Sequence, residues 1–186
     1  MKNLLIILSL LLSQTIYSQS FDGVPISGDL QTAVSRFKAK GYTVLRYLDQ
    51  GVQLKGKVAN RNFELFILVT PKTRKVFKMT LYLTEASSWT ELRSTYFSML
   101  ETLTNKYGEP DESETKFITP YYLGDGYELQ AVALEKTDYH AYWFRRDNLT
   151  VGVEISKFKQ VKVIYENVLM IEIKNKEQSE IENNSF

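Results

Sequence analysis

The sequence predicts an α+β fold, with an antiparallel sheet or sheets and two main helices. Two stretches carry apolar residues at the i, i+3, i+4 spacing of one helix face, and the segments after them alternate apolar and polar residues as half-buried strands do. Short turn-forming segments separate these stretches. The chain of 186 residues contains no cysteine, and this length is enough to bury a core without covalent cross-links. We therefore expect an α+β domain over residues 21–175.

The N-terminal segment has the features of a secretory signal peptide. One cation, Lys2, precedes the apolar run of residues 4–12, and small residues that suit a signal peptidase follow at Ser18 and Ser20. The run is far shorter than the ~20 residues that a membrane-spanning helix needs. We therefore predict a signal peptide over residues 1–20, with cleavage after either serine. The mature protein is expected to be periplasmic or extracellular, soluble and not membrane-spanning, since no cysteine is present to carry a lipid anchor.

The charge balance argues against a nucleic-acid partner. The chain has 23 basic and 22 acidic residues, and loss of Lys2 with the signal peptide would make the two numbers equal. Proteins that bind nucleic acids or anionic membranes through a general surface carry a clear excess of Lys and Arg. We expect neither kind of surface.

The first helix is predicted over residues 29–40. Either Ser27 or Asp29 can cap its start, and Gly41 supplies the left-handed residue that commonly follows a helix end. Its apolar face consists of Leu30, Ala33, Val34 and Phe37.

The second helix is predicted to be the longest element. Ser88 and Glu91 form a capping box at its start, and Gly108 with Pro110 closes it. Trp89 is expected in the core, because it belongs to an apolar stripe that consists of Trp89, Leu92, Tyr96, Leu100, Leu103 and Tyr107.

About four strands are expected after each helix. The first set is "TVLRYLD", "VQLKGKVA", "NFELFILVT" and "VFKMTLYLT", and the second set is "YELQAVALE", "YHAYWFRR", "LTVGVEIS" and "QVKVIYE". This order predicts, as a hypothesis, a tandem repeat of an αβ4 unit with halves over residues 21–86 and 87–175. Each helix would cover one sheet face and leave the polar face to solvent or to a partner. The polar residues 176–186 are predicted to be a flexible tail, whose deletion should change the melting temperature little.

Four stretches carry a resemblance to known domains. They are "FDGVPISGDLQTAVSRFKAKGY", "TPKTRKVFKMTLYL", "SWTELRSTYFSMLETLTNKYGEP" and "PYYLGDGYE". Together they resemble a family of exported, functionally uncharacterised domains common in Bacteroidota, and the resemblance extends over nearly all of the mature chain. Separately, the αβ4 plan is similar to that of β-lactamase inhibitor protein and related envelope domains, whose exposed sheet face binds other proteins. This second likeness is architectural and implies no residue roles.

The sequence offers little chemistry for catalysis. His140 is the one histidine, so mechanisms and metal sites that need two histidines are excluded. A structural strand histidine is favoured over a catalytic base, because no Gly-x-Ser-x-Gly motif supplies a nucleophile. Glu64, Glu128 and Glu154 lie in apolar surroundings, but on the polar sides of predicted strands, which favours solvated carboxylates. We predict no catalytic residue, no metal and no cofactor.

The stretch "PYYLGDGYE", residues 120–128, is the strongest candidate for a binding surface. The two glycines beside Asp125 can take the positive φ that a tight connection into a following strand needs. Adjacent residues of an extended segment point to opposite sides, so Tyr121 or Tyr122 should be exposed. Tyrosine is a favoured contact residue in binding surfaces. Tyr82 joins the set because it lies on the polar side of its strand, and the predicted binding residues are therefore Tyr121, Tyr122, Asp125 and Tyr82.

These features predict a secreted, non-catalytic binding or inhibitor-like module. Its partner would be an exported protein or a glycan. One alternative is an enzyme on envelope polymers, such as a glycan hydrolase, whose carboxylates only the fold brings together. Another is an assembly partner of exported proteins. A deep pocket with two facing carboxylates would favour the enzyme, and a broad shallow sheet would favour binding.

Overall fold

The central element of the computed structural model is an eight-stranded antiparallel sheet with the order β3-β4-β5-β6-β10-β9-β8-β7. Its first four strands are β3 (Thr43–Leu48), β4 (Gly51–Val58), β5 (Arg61–Val69) and β6 (Val76–Leu83). Its last four are β7 (Glu112–Phe117), β8 (Thr137–Phe144), β9 (Leu149–Ser156) and β10 (Gln160–Asn167). A separate two-stranded ribbon consists of β1 (Ser20–Phe21) and β2 (Val24–Pro25). The predicted α+β class is confirmed.

The structure describes residues 19–58 and 61–184. The predicted signal peptide over residues 1–20 therefore lies outside the described residues, except for its last two positions.

Four helices accompany the sheet: α1 (Leu30–Ala39), α2 (Trp89–Tyr107), α3 (Glu128–Ala133) and α4 (Val168–Asn183). Asp29, rather than Ser27, caps α1, since its carboxylate accepts hydrogen bonds from the N–H groups of Gln31 and Thr32 at 2.8 and 3.3 Å. None of these helices in the described ranges has the length and apolar character of a membrane-spanning segment.

α2 is the longer of the two predicted main helices, and its capping differs in one detail from the prediction. The Ser88 hydroxyl accepts from the N–H of Glu91 at 3.2 Å, as a capping box requires. The Glu91 carboxylate, however, accepts from the N–H and hydroxyl of Ser87, both at 2.9 Å. These hydrogen bonds from Ser87 lower the pKa of Glu91.

The order of the elements follows the tandem αβ4 plan. α1 precedes the four neighbouring strands β3 to β6, and α2 precedes β7 to β10, with α3 inserted between β7 and β8. The last strands of the two units, β6 and β10, pair antiparallel, with Leu81 opposite Val163 and Met79 opposite Tyr165. The two units therefore share one continuous sheet.

α1 and α2 pack on the same face of this sheet. One buried cluster contains Phe37 of α1, Leu92 of α2 and the inward side chains of strands from both units, such as Leu65 and Val153. We call the other face, which α1 and α2 do not cover, the open face. It carries the alternate residues of the same strands.

The first strand after α2 differs from the prediction. "YELQAVALE" contains the short helix α3, in which the adjacent residues Ala131 and Val132 are both buried. The strand in this position is β7, "ESETKF", where only Glu114 and Phe117 are even partly buried. An edge strand with so little burial does not need apolar alternation, so the pattern did not reveal it.

The predicted flexible tail is also wrong for residues 176–183, which belong to α4. The Asn167 side chain caps this helix by accepting from the N–H of Met170 at 3.2 Å. Glu177, on α4, is 6% exposed and its carboxylate binds the β5–β6 hairpin. The expectation that deletion of residues 176–186 is harmless therefore loses its basis.

Candidate binding surfaces

The structure places the four predicted binding residues on two different surfaces. Tyr121, Tyr122 and Asp125 lie in the connection from β7 to α3. Tyr82 lies on the central strand β6, between the buried Leu81 and Leu83. Because α2 packs on the face of Leu81, Tyr82 belongs to the open face.

The connection of residues 118–127, which we call the Tyr loop, is held by two carboxylates. Asp125 accepts from the N–H of Tyr122 at 3.1 Å and from the N–H of Tyr127 at 2.7 Å. Glu128 accepts from the N–H of Gly124 at 2.9 Å. The two glycines beside Asp125 have φ of 90° and 79°, as predicted, but they lead into α3 rather than into a strand. Asp125 thus positions the loop and remains partly exposed.

Besides Ile118 at its start, the Tyr loop leaves three large side chains in solvent. Tyr122, Leu123 and Tyr127 are 63%, 57% and 59% exposed. Tyr121 is half-buried, and its hydroxyl accepts from the Gln130 side-chain amide at 3.2 Å. Of the two adjacent tyrosines, Tyr122 is therefore the exposed one.

Leu123 also lines a depression of about 650 Å³ over the first half of α2. The Arg93 guanidinium lies 4.8 Å from the centre of the Phe97 ring. Burial raises the pKa of the nearby Tyr139 hydroxyl. The charge of Arg93 and its hydrogen bond to Tyr139 lower the same pKa by less. The lining residues are Trp89, Thr90, Arg93, Ser94, Phe97 and Leu123. We call the Tyr loop and this depression together the Tyr-loop surface.

Trp89 connects the Tyr-loop surface with the core. Trp89 is half-buried, whereas the helix stripe predicts a core residue. Its ring nevertheless meets the rings of Phe117 and Tyr139 edge-on, at centroid distances of 5.3 Å. The floor of the depression is thus fixed by core packing.

A second depression, of about 400 Å³, lies on the open face, and we call it the sheet groove. Three directly opposed residue pairs of β5 and β6 form its floor: Glu64–Tyr82, Phe66–Thr80 and Leu68–Lys78. Phe158 and Gln160, from the β9–β10 turn and the start of β10, complete the lining. The rings of Phe66 and Tyr82 meet edge-on with centroids 5.4 Å apart.

The charged side chains of the sheet groove already have partners. Glu64 accepts from the side-chain amide of Gln53 at 2.7 Å, and Gln53 accepts from the Arg46 guanidinium at 2.6 Å. Lys78 Nζ lies 2.6 Å from a carboxylate oxygen of Glu166. Glu64 is exposed, as predicted, and also belongs to this hydrogen-bonded chain.

The open face continues beyond the groove as a packed layer. The Tyr142 hydroxyl donates to the Glu154 carboxylate, which also lies 2.5 Å from Lys162 Nζ. Burial raises the pKa of Tyr142, and the hydrogen bond to Glu154 raises it further. Glu154 is therefore paired rather than simply solvated.

His140 lies on β8 beside the acidic edge strand β7. Its Nδ1 is 2.6 Å from Asp138 and its Nε2 is 3.6 Å from Glu112. This half-buried position agrees with the strand histidine that the sequence favours. Within the described ranges, no three His, Cys, Asp or Glu side chains are grouped as ligands for a metal.

The sequence pattern did not identify several residues of the two surfaces. Phe66 stands on the polar side of its strand, as Tyr82 does, and this signal could have identified it. Phe97 lies outside the apolar stripe of α2, and an aromatic residue off the buried face of a helix could likewise have been identified as partly exposed. Leu123 and Phe158 lie in turns, where no periodicity indicates exposure.

Comparison of the chain with protein-family models, with curated proteins and with solved structures finds no match. The resemblance to exported domains of Bacteroidota therefore stays a prediction.

Proposed function

We propose that the protein is an exported, non-catalytic binding module that holds a partner protein through the Tyr-loop surface. The observation that carries this proposal is the exposure of Tyr122, Leu123 and Tyr127 on a backbone that Asp125 and Glu128 hold in place. Side chains presented on a fixed backbone lose little conformational entropy on binding, so more of the contact energy becomes affinity.

The chemistry of the surface favours a protein as the partner. Tyrosine and arginine are enriched among the residues that dominate protein interfaces, and the surface offers Tyr122, Tyr127 and Arg93. Further apolar side chains of the same region, Ile118 and Leu134, are 40% and 54% exposed. The depression over α2 can accept an apolar side chain of a partner at the edge of this patch.

The glycan-hydrolase alternative has less support. Glycoside hydrolysis commonly uses two carboxylates on either side of the scissile bond. Among the described residues, Glu64 is the one carboxylate that lines the sheet groove, and the depression over α2 has none in its lining. The alternative of an assembly partner is a particular case of protein binding and has the same test.

Export forms part of the proposal because of the composition of residues 1–20. Fractionation of cells should recover the chain outside the cytoplasm, without residues 1–18 or 1–20.

The binding test is capture of a partner from an envelope extract, with the chain from residue 21 onwards as bait. The test variant is Tyr122→Ala/Tyr127→Ala. A matched control is Tyr47→Ala, because Tyr47 is 58% exposed and lies on β3, at one edge of the sheet. Both changes remove exposed rings, so neither should alter the melting temperature appreciably.

We expect the parent and Tyr47→Ala to capture the same protein, and the double variant to bind it at least about tenfold more weakly. The affinity of the purified partner for each variant gives this ratio. Equal binding by the double variant would show that the Tyr loop is not the contact surface.

A further inference from the structure

We propose that the sheet groove is a second binding site and that its ligand is a neutral saccharide. This inference goes beyond the proposed function, because it concerns the open face rather than the Tyr-loop surface. It rests on the rings that line the groove, on polar groups without side-chain partners, and on the pairing of Lys78 with Glu166.

Three aromatic side chains line the groove. Phe66 and Tyr82 hold each other edge-on at 5.4 Å, and Phe158 is 60% exposed in the β9–β10 turn. An aromatic ring has an electron-rich face, and the C–H groups on one side of a pyranose ring are suited to pack against it. The groove thus provides surfaces for the apolar side of a sugar.

Two polar groups in the same groove have no side-chain partner within the described part of the chain. They are the Tyr82 hydroxyl and the carboxamide of Gln160. Each can both donate and accept a hydrogen bond. Sugar hydroxyls have the same dual character, so these groups can pair with them without an unsatisfied atom on either side.

The charges in the groove argue against an anionic saccharide and so favour a neutral one. Glu64 binds Gln53, and Lys78 is paired with Glu166 at 2.6 Å. Lys78 therefore offers no unpaired positive charge, and Glu64 keeps its negative charge, so an anionic ligand would lose its hydration without gaining a counter-charge. A volume of about 400 Å³ also lies within the range of small-molecule sites, roughly 300–1,000 Å³.

The test is titration of the chain from residue 21 onwards with three neutral disaccharides: N,N′-diacetylchitobiose, cellobiose and maltose. Calorimetry gives the affinity, and saturation-transfer NMR shows which sugar protons contact the protein. The unsulfated, uronate-containing chondroitin disaccharide is the charged control.

We expect at least one neutral disaccharide to bind and the charged one not to bind. Phe158→Ala should weaken binding about tenfold, and because Phe158 is 60% exposed this variant keeps the fold. Tyr82→Phe removes the hydroxyl alone and should weaken binding about three- to tenfold through one lost hydrogen bond. Tyr122→Ala/Tyr127→Ala should bind the sugar as the parent does.

Three results would overturn the proposal. One is the absence of binding for all three neutral disaccharides. Another is binding that Phe158→Ala and Tyr82→Phe leave unchanged, which would place the sugar elsewhere. The last is tighter binding of the anionic disaccharide, which would contradict the pairing of Lys78 with Glu166.

Discussion

The ring of Tyr142 covers Gly152 on the open face. A Cβ atom at position 152 would lie 2.5 Å from Cε1 and 2.8 Å from Cδ1 of this ring. The ring is also held by its hydroxyl, which donates to Glu154, and by Phe144, whose ring is stacked on it at a centroid distance of 6.3 Å. Packing here depends on the missing side chain of the glycine.

Gly152→Ala should therefore destabilise the protein by about 1–3 kcal/mol, the usual cost of overpacking. Urea denaturation at neutral pH measures this loss. The control is the same change in a Tyr142→Ala background, where the clashing ring is absent and the cost should largely vanish. An equal cost in both backgrounds would show that Tyr142 is not the cause.

Single tyrosines also show what the sequence could predict about the binding surfaces. The exposure of one of the two adjacent tyrosines, Tyr121 or Tyr122, follows from alternation in an extended segment, and the polar-side position of Tyr82 follows from period two. The sequence does not predict that Tyr122 and Tyr82 lie on different surfaces. Alternation indicates which residues share a face of one strand, but it does not indicate which face of the sheet the helices cover.

At the scale of the element, α4 is attached to the β5–β6 hairpin by one buried carboxylate. Glu177 accepts from the N–H groups of Lys72 and Thr73 at 2.7 and 3.1 Å, and from the Thr73 hydroxyl at 2.5 Å. Burial alone would raise the pKa of Glu177, but these hydrogen bonds outweigh it and lower the pKa below its ordinary value of 4.5. The ionised form is therefore the one that holds α4.

The attachment of α4 should be lost in acid. Because the folded-state pKa of Glu177 is lowered, its contribution is fully present above about pH 4.5 and disappears as the pH falls through the lower folded value. Glu177→Gln should cost about 1–3 kcal/mol at pH 7, and the difference from the parent should shrink below pH 4.5. Denaturation curves of both proteins between pH 7 and pH 3 measure this difference.

Glu180→Gln is the matched control on the same helix. Glu180 pairs with Lys72 at 2.9 Å, but this pair is solvent-exposed, so its loss should cost less than about 1 kcal/mol. If Glu177→Gln behaves like Glu180→Gln at every pH, the buried carboxylate does not hold α4.

The elements that the sequence predicted are those with a strong apolar period. α1, α2, β4 to β6 and β8 to β10 all bury one regular face. β3 is the exception, since none of its predicted residues is more than partly buried. α3 is short enough for its apolar residues to imitate alternation, and β7 is an edge strand with little burial. The sequence did not predict α4, because this helix is attached through the buried carboxylate of Glu177, and a pattern of apolar residues does not reveal a buried charge.

At the scale of the whole molecule, the joint between the two units is part of their common core. β6 and β10 lie at the centre of the sheet, where Leu81 opposes Val163 and Met79 opposes Tyr165, and all four side chains belong to one buried cluster. The Tyr-loop surface and the sheet groove use opposite sides of this shared sheet. A ligand at one surface therefore leaves the other open.

The shared core predicts that the two αβ4 units unfold together. Both tryptophans, Trp89 and Trp143, lie in the second unit, so tryptophan fluorescence reports that unit, whereas far-UV circular dichroism reports both. The two signals should give coincident urea transitions, as a two-state protein requires. Leu81→Ala, which opens a cavity at the joint, should cost about 2–5 kcal/mol and move both curves by the same amount, even though Leu81 belongs to the first unit. A fluorescence transition that stays in place while the dichroism curve shifts would show that the units fold independently, and that the repeat joins two separate cores instead of one.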